Sequence, residues 1–92
     1  MLLKTNSGFE LELSEDFFDD DELMRDIIAA ENGDIRAMIR VEDRVFSKED
    51  LARLYDHLRT ENGKIPMSAV QKAIGELIQS SVAGKNSSSS PN

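Results

Sequence analysis

The chain has 92 residues, no cysteine and a formal net charge of −7, which excludes a disulfide framework, a thiolate zinc site and a cysteine nucleophile and argues against a nucleic acid gripped through its phosphates. No run approaches the roughly 18 apolar residues of a membrane helix. The N-terminal stretch lacks the basic start and apolar centre of a secretion signal, so a soluble, intracellular protein with one small domain over residues 1–82 is expected. The acidity is local. Residues 1–32 hold ten acids against Lys4 and Arg25, a net −8, while the remainder is close to neutral at +1.

In chain order, FELEL at 9–13 alternates apolar and acidic residues with period two, and NSG at 6–8 can turn it back on LLKT; a short N-terminal β-hairpin is expected. The run SEDFFDDDELMRDIIAAENG begins with acids suited to a helix N-terminus and repeats apolar residues at Leu23, Met24, Ile27 and Ile28, giving a first helix from about Asp16 or Asp20 to Glu31. Within it, EDFFDDDE at 15–22 places six acids around Phe17 and Phe18. Two adjacent aromatics cannot share one narrow helical stripe, so either they staple the helix start to the core or one of them stays exposed.

Asp34 is suited to capping a second helix, DIRAMIRVEDRVF, in which Ile35, Met38, Ile39, Val45 and Phe46 fall on one side at 100° per residue. Arg36, Arg40 and Arg44 follow at i, i+4 and i+8 on the other side, with Glu42 inside the apolar arc. Ser47 restarts the pattern as a cap with Asp50, and Leu51, Leu54, Tyr55 and Leu58 mark a third amphipathic helix. The last helix opens with Pro66 at its first position or with Ser68 and Gln71 as a capping box; its core face is Val70, Ala73, Ile74, Leu77 and Ile78. AGKNSSSSPN at 83–92 is too polar to offset the entropy of ordering, so a disordered tail is expected. The fold class is mainly α, a small four-helix bundle with a short N-terminal hairpin.

Two stretches thirty residues apart, ENGDI at 31–35 and ENGKI at 61–65, share the Asn-Gly-x-Ile core of calcium loops. An EF-hand needs oxygen ligands at its first, third and fifth positions and a glutamate at its twelfth. With Gly63 at the sixth position these are Leu58, Thr60, Asn62 and Ala69; with Gly33 they are Ile28, Ala30, Asn32 and Ile39. Neither set holds calcium, and both Asn-Gly pairs read as helix C-terminal stops. The sole histidine, His57, has no evident partner, and Ser68 and Ser80 have no base; no enzyme, metal or cofactor is indicated.

Two surfaces stand out as candidates for protein contacts. The apolar residues Phe17, Phe18, Met24, Ile28 and Phe46 are candidates for a partner-binding face. Arg36, Arg40 and Arg44, set against Asp19, Asp20 and Asp21, offer opposite charges through which copies could dock head to tail as a homo-oligomer.

LARLYDHLRTENGKIPMSAVQKAIGELIQ at 51–79, followed by GKNSSSSPN, resembles the small tail assembly chaperones of long-tailed bacteriophages and prophages of Gram-positive bacteria. The likeness lies in a helix ending in His-Leu-Arg, an acidic-Asn-Gly turn, a basic residue, an aliphatic residue and proline, a final helix, and a Lys-Asn-Ser-rich tail. It covers residues 47–92; residues 1–46 agree only in outline. The resemblance implies a non-virion protein of the host cytoplasm that keeps the long tape measure protein soluble and helps the tail tube of major tail protein polymerise around it. It also implies a longer −1 frameshift product, since Gly84-Lys85-Asn86 can be encoded by a slippery run. The alternative is an acidic regulatory protein that imitates DNA and occupies a basic DNA-binding partner, a reading motivated by the charge of residues 1–32.

Overall fold

In the computed structural model residues 1–84 are described in full and the backbone through Ser89. The order is β1 (Leu2–Lys4), β2 (Glu10–Glu12), α1 (Asp21–Glu31), α2 (Ile35–Val45), α3 (Lys48–Leu58) and α4 (Met67–Ser89). The expected hairpin is present, antiparallel, with Leu3 opposite Leu11. Its three-residue loop, Asn6 to Gly8, is closed by Thr5 N–H to Phe9 O at 2.9 Å and Gly8 N–H to Thr5 O at 3.1 Å, the hairpin in which a turn is followed by a left-handed glycine. Each strand turns one leucine inward, Leu3 and Leu11, while Leu2 and Lys4 of β1 and Glu10 and Glu12 of β2 face outward. Helix α4 covers the free edge of β1: Ser80 Oγ accepts from Lys4 N–H at 3.1 Å and Glu76 Oε1 from Asn6 N–H at 2.9 Å. Backbone donors that would otherwise invite another strand are thereby occupied.

The six most deeply buried large side chains are Leu3, Leu11, Leu23, Val41, Leu54 and Leu77, one from each element, so the hairpin and all four helices share one core. Helix starts follow local chemistry. Asp20, Asp34 and Ser47 accept from the backbone N–H groups of Leu23, Ala37 and Asp50, each at 3.1 Å, satisfying donors that a first turn leaves free. Residues 14–19 form turns rather than helix, with Phe17 N–H on Ser14 O and Asp19 N–H on Asp16 O. Helix α1 accordingly begins at Asp21, at the later of the two expected starts.

The α1 stop is as expected. Gly33 takes φ +98°, and the N–H groups of Gly33 and Asp34 return to Ala30 O and Ala29 O, both at 3.0 Å, the paired closure of a Schellman motif. Asp34 thus ends α1 and caps α2, which sets the two helices side by side. The second Asn-Gly does something else. Helix α3 ends at Leu58, and residues 60–64 close a separate loop through Thr60 N–H to Lys64 O at 2.8 Å, with Gly63 at φ +78°. The local hydrogen bonds of Thr60, including Oγ1 to Lys64 O at 3.0 Å, organise this loop, so Asn62-Gly63 is a turn and not a helix stop.

Helix α2 is rotated from the expected orientation. Ala37, Met38, Val41, Glu42 and Val45 are buried, whereas Ile35 and Ile39 are 56% and 53% exposed. Two interactions fix this rotation. On one edge Arg40 and Arg44 reach α1; on the other the buried Glu42 accepts a hydrogen bond from the Tyr55 hydroxyl, which makes burial of a carboxylate tolerable. Helix α4 starts directly after Pro66, whose carbonyl accepts from Ala69 and Val70, and Gln71 is used for a contact with α1 rather than for a capping box. The tail expected over 83–92 is helical in its first part, because the α4 backbone continues to Ser89; residues 90–92 lie outside the described residues.

Candidate partner-binding groove

Gln71 Nε2 donates to Ala30 O at 2.9 Å and pins the start of α4 to the end of α1. Beside that contact lies a mainly apolar groove of about 210 Å³, lined by Met24, Ile27, Ala30 and Glu31 of α1, Met38 and Val41 of α2, and Gln71, Ile74, Gly75, Ile78 and Gln79 of α4. Ile27, Met38, Val41 and Ile74 are buried and form its floor; Met24 and Ile78 are half-buried and Glu31 and Gly75 exposed. Bordering these walls stand Ile28, between Met24 and Glu31 on α1, and Val82, one turn beyond Ile78 on α4, which are 54% and 49% exposed. Residues one turn apart share a helix face. The groove is therefore continued at its rim by solvent-exposed aliphatic surface.

Charge is sorted around α1. Asp26 lies about 160° around the helix from Met24, and on that side Arg40 Nη2 meets Asp26 Oδ1 at 2.9 Å while Arg44 Nη2 meets Asp20 Oδ2 at 2.6 Å. The Leu23 backbone N–H and then Arg44 hold the Asp20 carboxyl below the usual range, and Arg40 does the same for Asp26. On the groove side Glu31 has no ion-pair partner among the described residues.

Of the residues expected on a partner-binding face, Met24 lines the groove and Ile28 borders it. Phe17 and Phe18 are half-buried, packed on the core and on each other edge to face at 5.2 Å between centroids, so they staple the approach to α1. Phe46 does not belong to an exposed face. It is 4% exposed and meets Phe9 edge to face at 6.4 Å, because α2 ends one residue earlier and the extended backbone at Phe46 turns its ring inward. Most of the residues expected to pair head to tail between copies have partners within the chain. Arg40 and Arg44 pair within the chain, and Asp21 pairs with Arg25 at 2.8 Å; the short 32–34 turn brings α1 carboxylates within reach of α2 guanidinium groups. Arg36 and Asp19 are left exposed and outside any ion pair among the described residues.

His57 is exposed on α3, with Nε2 at 2.8 Å from Ser7 Oγ and its ring beside Phe9. Arg53 lies over the same Phe9 ring, 4.9 Å from its centroid. These contacts hold the hairpin to α3. No group of metal-ligating side chains occurs among the described residues, and no helix among them is long and apolar enough to cross a membrane. Of the groove lining only Met24 is among the contact residues expected from the sequence; Met38, Ile74 and Ile78 read there as core face, Gln71 reads as a cap, and Glu31, Gly75 and Gln79 carry no signal of a site. Comparison with protein-family models, curated proteins and solved structures returned no match.

Proposed function

We propose that this protein is a tail assembly chaperone of a long-tailed bacteriophage or prophage, which binds the tape measure protein, keeps it soluble and promotes assembly of the tail tube around it. The observation that carries the reading is the groove between α1 and α4, with its apolar floor and the exposed Ile28 and Val82 at its rim. A chaperone for a long helical client has to cover apolar helix surface reversibly, and a groove between two helices offers such cover without requiring the client to unfold the host. The net −8 of residues 1–32 keeps the complex soluble. The sequence resemblance over residues 47–92 supplies the identity of the client. On this reading the protein acts in the host cytoplasm, is absent from the virion, meets the major tail protein and a frameshifted longer form of itself, and needs neither catalysis nor a cofactor.

The test is co-expression with a tape measure protein from the same genome. The combined substitution Met24→Ser and Ile28→Ser is expected to move the client from the soluble fraction to the pellet while the variant itself stays folded by circular dichroism. An equally soluble and equally bound client would remove the reading. The competing acidic decoy rests on the charge of residues 1–32. It is weakened because Asp20, Asp21 and Asp26 are already paired with Arg44, Arg25 and Arg40. A complex that survives high salt separates apolar capture from phosphate mimicry.

A further inference from the structure

Gly75 lies inside α4, where glycine is the least favourable residue after proline, yet the chain itself has no need of it there. A Cβ built at Gly75 meets nothing within 4 Å, and the residue is exposed in the wall of the groove. Its effect is to leave a notch between Ile74 and Ile78. From Gln71 to Gln79 that wall is about 12 Å long at roughly 1.5 Å per residue, a little over two helical turns.

The electrostatics limit what can enter. The groove lining contains one charged side chain, Glu31, and no cation, while Arg40 and Arg44 are engaged on the far side of α1. A second copy docking through its own α1 would bring a segment of net −8 against Glu31, so charge disfavours that pairing.

We infer that the groove is a docking site for one basic amphipathic helix of a partner protein, seated with a bulky aliphatic side chain in the Gly75 notch and a lysine or arginine against Glu31. Resting on the proposed chaperone function, this names the kind of client segment recognised: apolar residues at i, i+3, i+4 and i+7, flanked by basic rather than acidic residues. Helix-in-groove recognition works through such anchors, and a glycine notch lets the incoming backbone approach more closely than any other residue would.

The experiment uses the full chain and two synthetic helical peptides with the same leucine stripe, one flanked by lysines and one by glutamates, with binding followed by fluorescence anisotropy at moderate salt. The lysine peptide is expected to bind and the glutamate peptide to bind at least about tenfold more weakly. Gly75→Leu fills the notch and is expected to weaken the lysine peptide at least about tenfold, a 1.4 kcal/mol effect, with thermal stability undiminished because the new side chain enters open space. Glu31→Lys, at an exposed position, is expected to reverse the preference between the peptides. Equal binding of the lysine peptide by wild type, Gly75→Leu and Glu31→Lys overturns the inference, as does a wild-type dimer in sedimentation that Gly75→Leu dissociates. Should Gly75→Leu unfold, Glu31→Lys alone decides. A protein that shows the peptide pattern but leaves the tape measure protein insoluble keeps the docking site and loses the chaperone reading. A protein that solubilises the tape measure protein regardless of residues 31 and 75 does the reverse.

Discussion

The phenol O–H of Tyr55 on α3 donates a hydrogen bond to the carboxylate of Glu42 on α2, and Glu42 is 7% exposed. This bond holds a carboxylate inside the apolar arc of α2 and fixes the rotation of that helix. Tyr55→Phe leaves Glu42 without the donor and is expected to cost about 1–3 kcal/mol at neutral pH, the usual penalty for orphaning a buried polar group. Chemical denaturation measures it. Glu42→Gln, which keeps an acceptor for the phenol, is expected to cost less than Tyr55→Phe.

The same pair gives an alkaline signature. Burial first, then the hydrogen bond to Glu42 and the negative charges of Glu42 and Asp43, push the Tyr55 phenol up to about 12 from an unfolded value near 10. A raised folded pKa contributes stability that is complete below the unfolded pKa and is lost as pH rises toward the folded one. Stability is therefore expected to fall between about pH 10 and about pH 12 in the wild type. In Tyr55→Phe that part of the slope disappears, and denaturation midpoints across the window report the difference.

On the acid side the sign reverses. Asp20 and Asp26 have carboxyl groups held below the ordinary 3.8, so the stability they contribute is present above that value and lost as pH falls through their lower folded pKa values. Asp26→Asn is expected to flatten the acid limb of the stability profile by removing the Arg40 pairing. Asp20→Asn keeps the cap acceptor and loses only the charge. Asp20→Ala, which removes the Leu23 N–H contact and the Arg44 pair together, is expected to be the most damaging of the three at pH 6.

How much of this was legible in the sequence depended on how local each determinant was. The hairpin, its Asn-Ser-Gly loop, the caps Asp34 and Ser47 and the Gly33 stop are decided within a few residues, and each forms where its chemistry places it. The rotation of α2 is not local. Periodicity put Ile35 and Ile39 in the core and the arginines opposite, but the carboxylates of α1 and the phenol of Tyr55 lie in other elements, and together they turn the helix. Met24 and Ile28 were found as candidates because they are apolar at helical spacing. Phe46 is ambiguous for the same reason, since an aromatic at a helix end reads alike whether it points outward or into Phe9. The groove itself is made where side chains of α1, α2 and α4 meet beside the Gln71–Ala30 contact, a juxtaposition that no pattern along the chain encodes.

Two glycines predict opposite outcomes for one substitution. Gly33 takes φ +98° at the Schellman closure, a conformation that costs an L-residue about 1–2 kcal/mol, so Gly33→Ala is expected to destabilise by that amount. Gly75 has ordinary helical backbone and open space at its Cβ, so Gly75→Ala is expected to stabilise by up to about 1 kcal/mol. Thermal unfolding of the two variants beside the wild type checks both signs at once. A stabilised Gly75→Ala also means that the fold itself does not demand glycine there, the condition on which a binding role for the notch depends.

Phe46 and Ile28 lie on opposite sides of the boundary between core and partner-binding face. Phe46 is buried against Phe9, and Phe46→Ala is expected to destabilise by about 3–5 kcal/mol, the range for truncating a buried aromatic. Any loss of client solubility in that variant would follow from unfolding. Ile28 is more than half exposed, and Ile28→Ser is expected to leave stability within about 0.5 kcal/mol of wild type while reducing capture of an apolar helix. Measuring denaturation midpoint and client solubility on both proteins places each residue on one side or the other. Loss of capture without loss of stability belongs to the groove rim, and loss of both belongs to the core. An Ile28→Ser protein that unfolds as readily as Phe46→Ala would mean that the α1 edge is structural, and the partner surface would then have to be sought at the exposed Ile35 and Ile39 of α2.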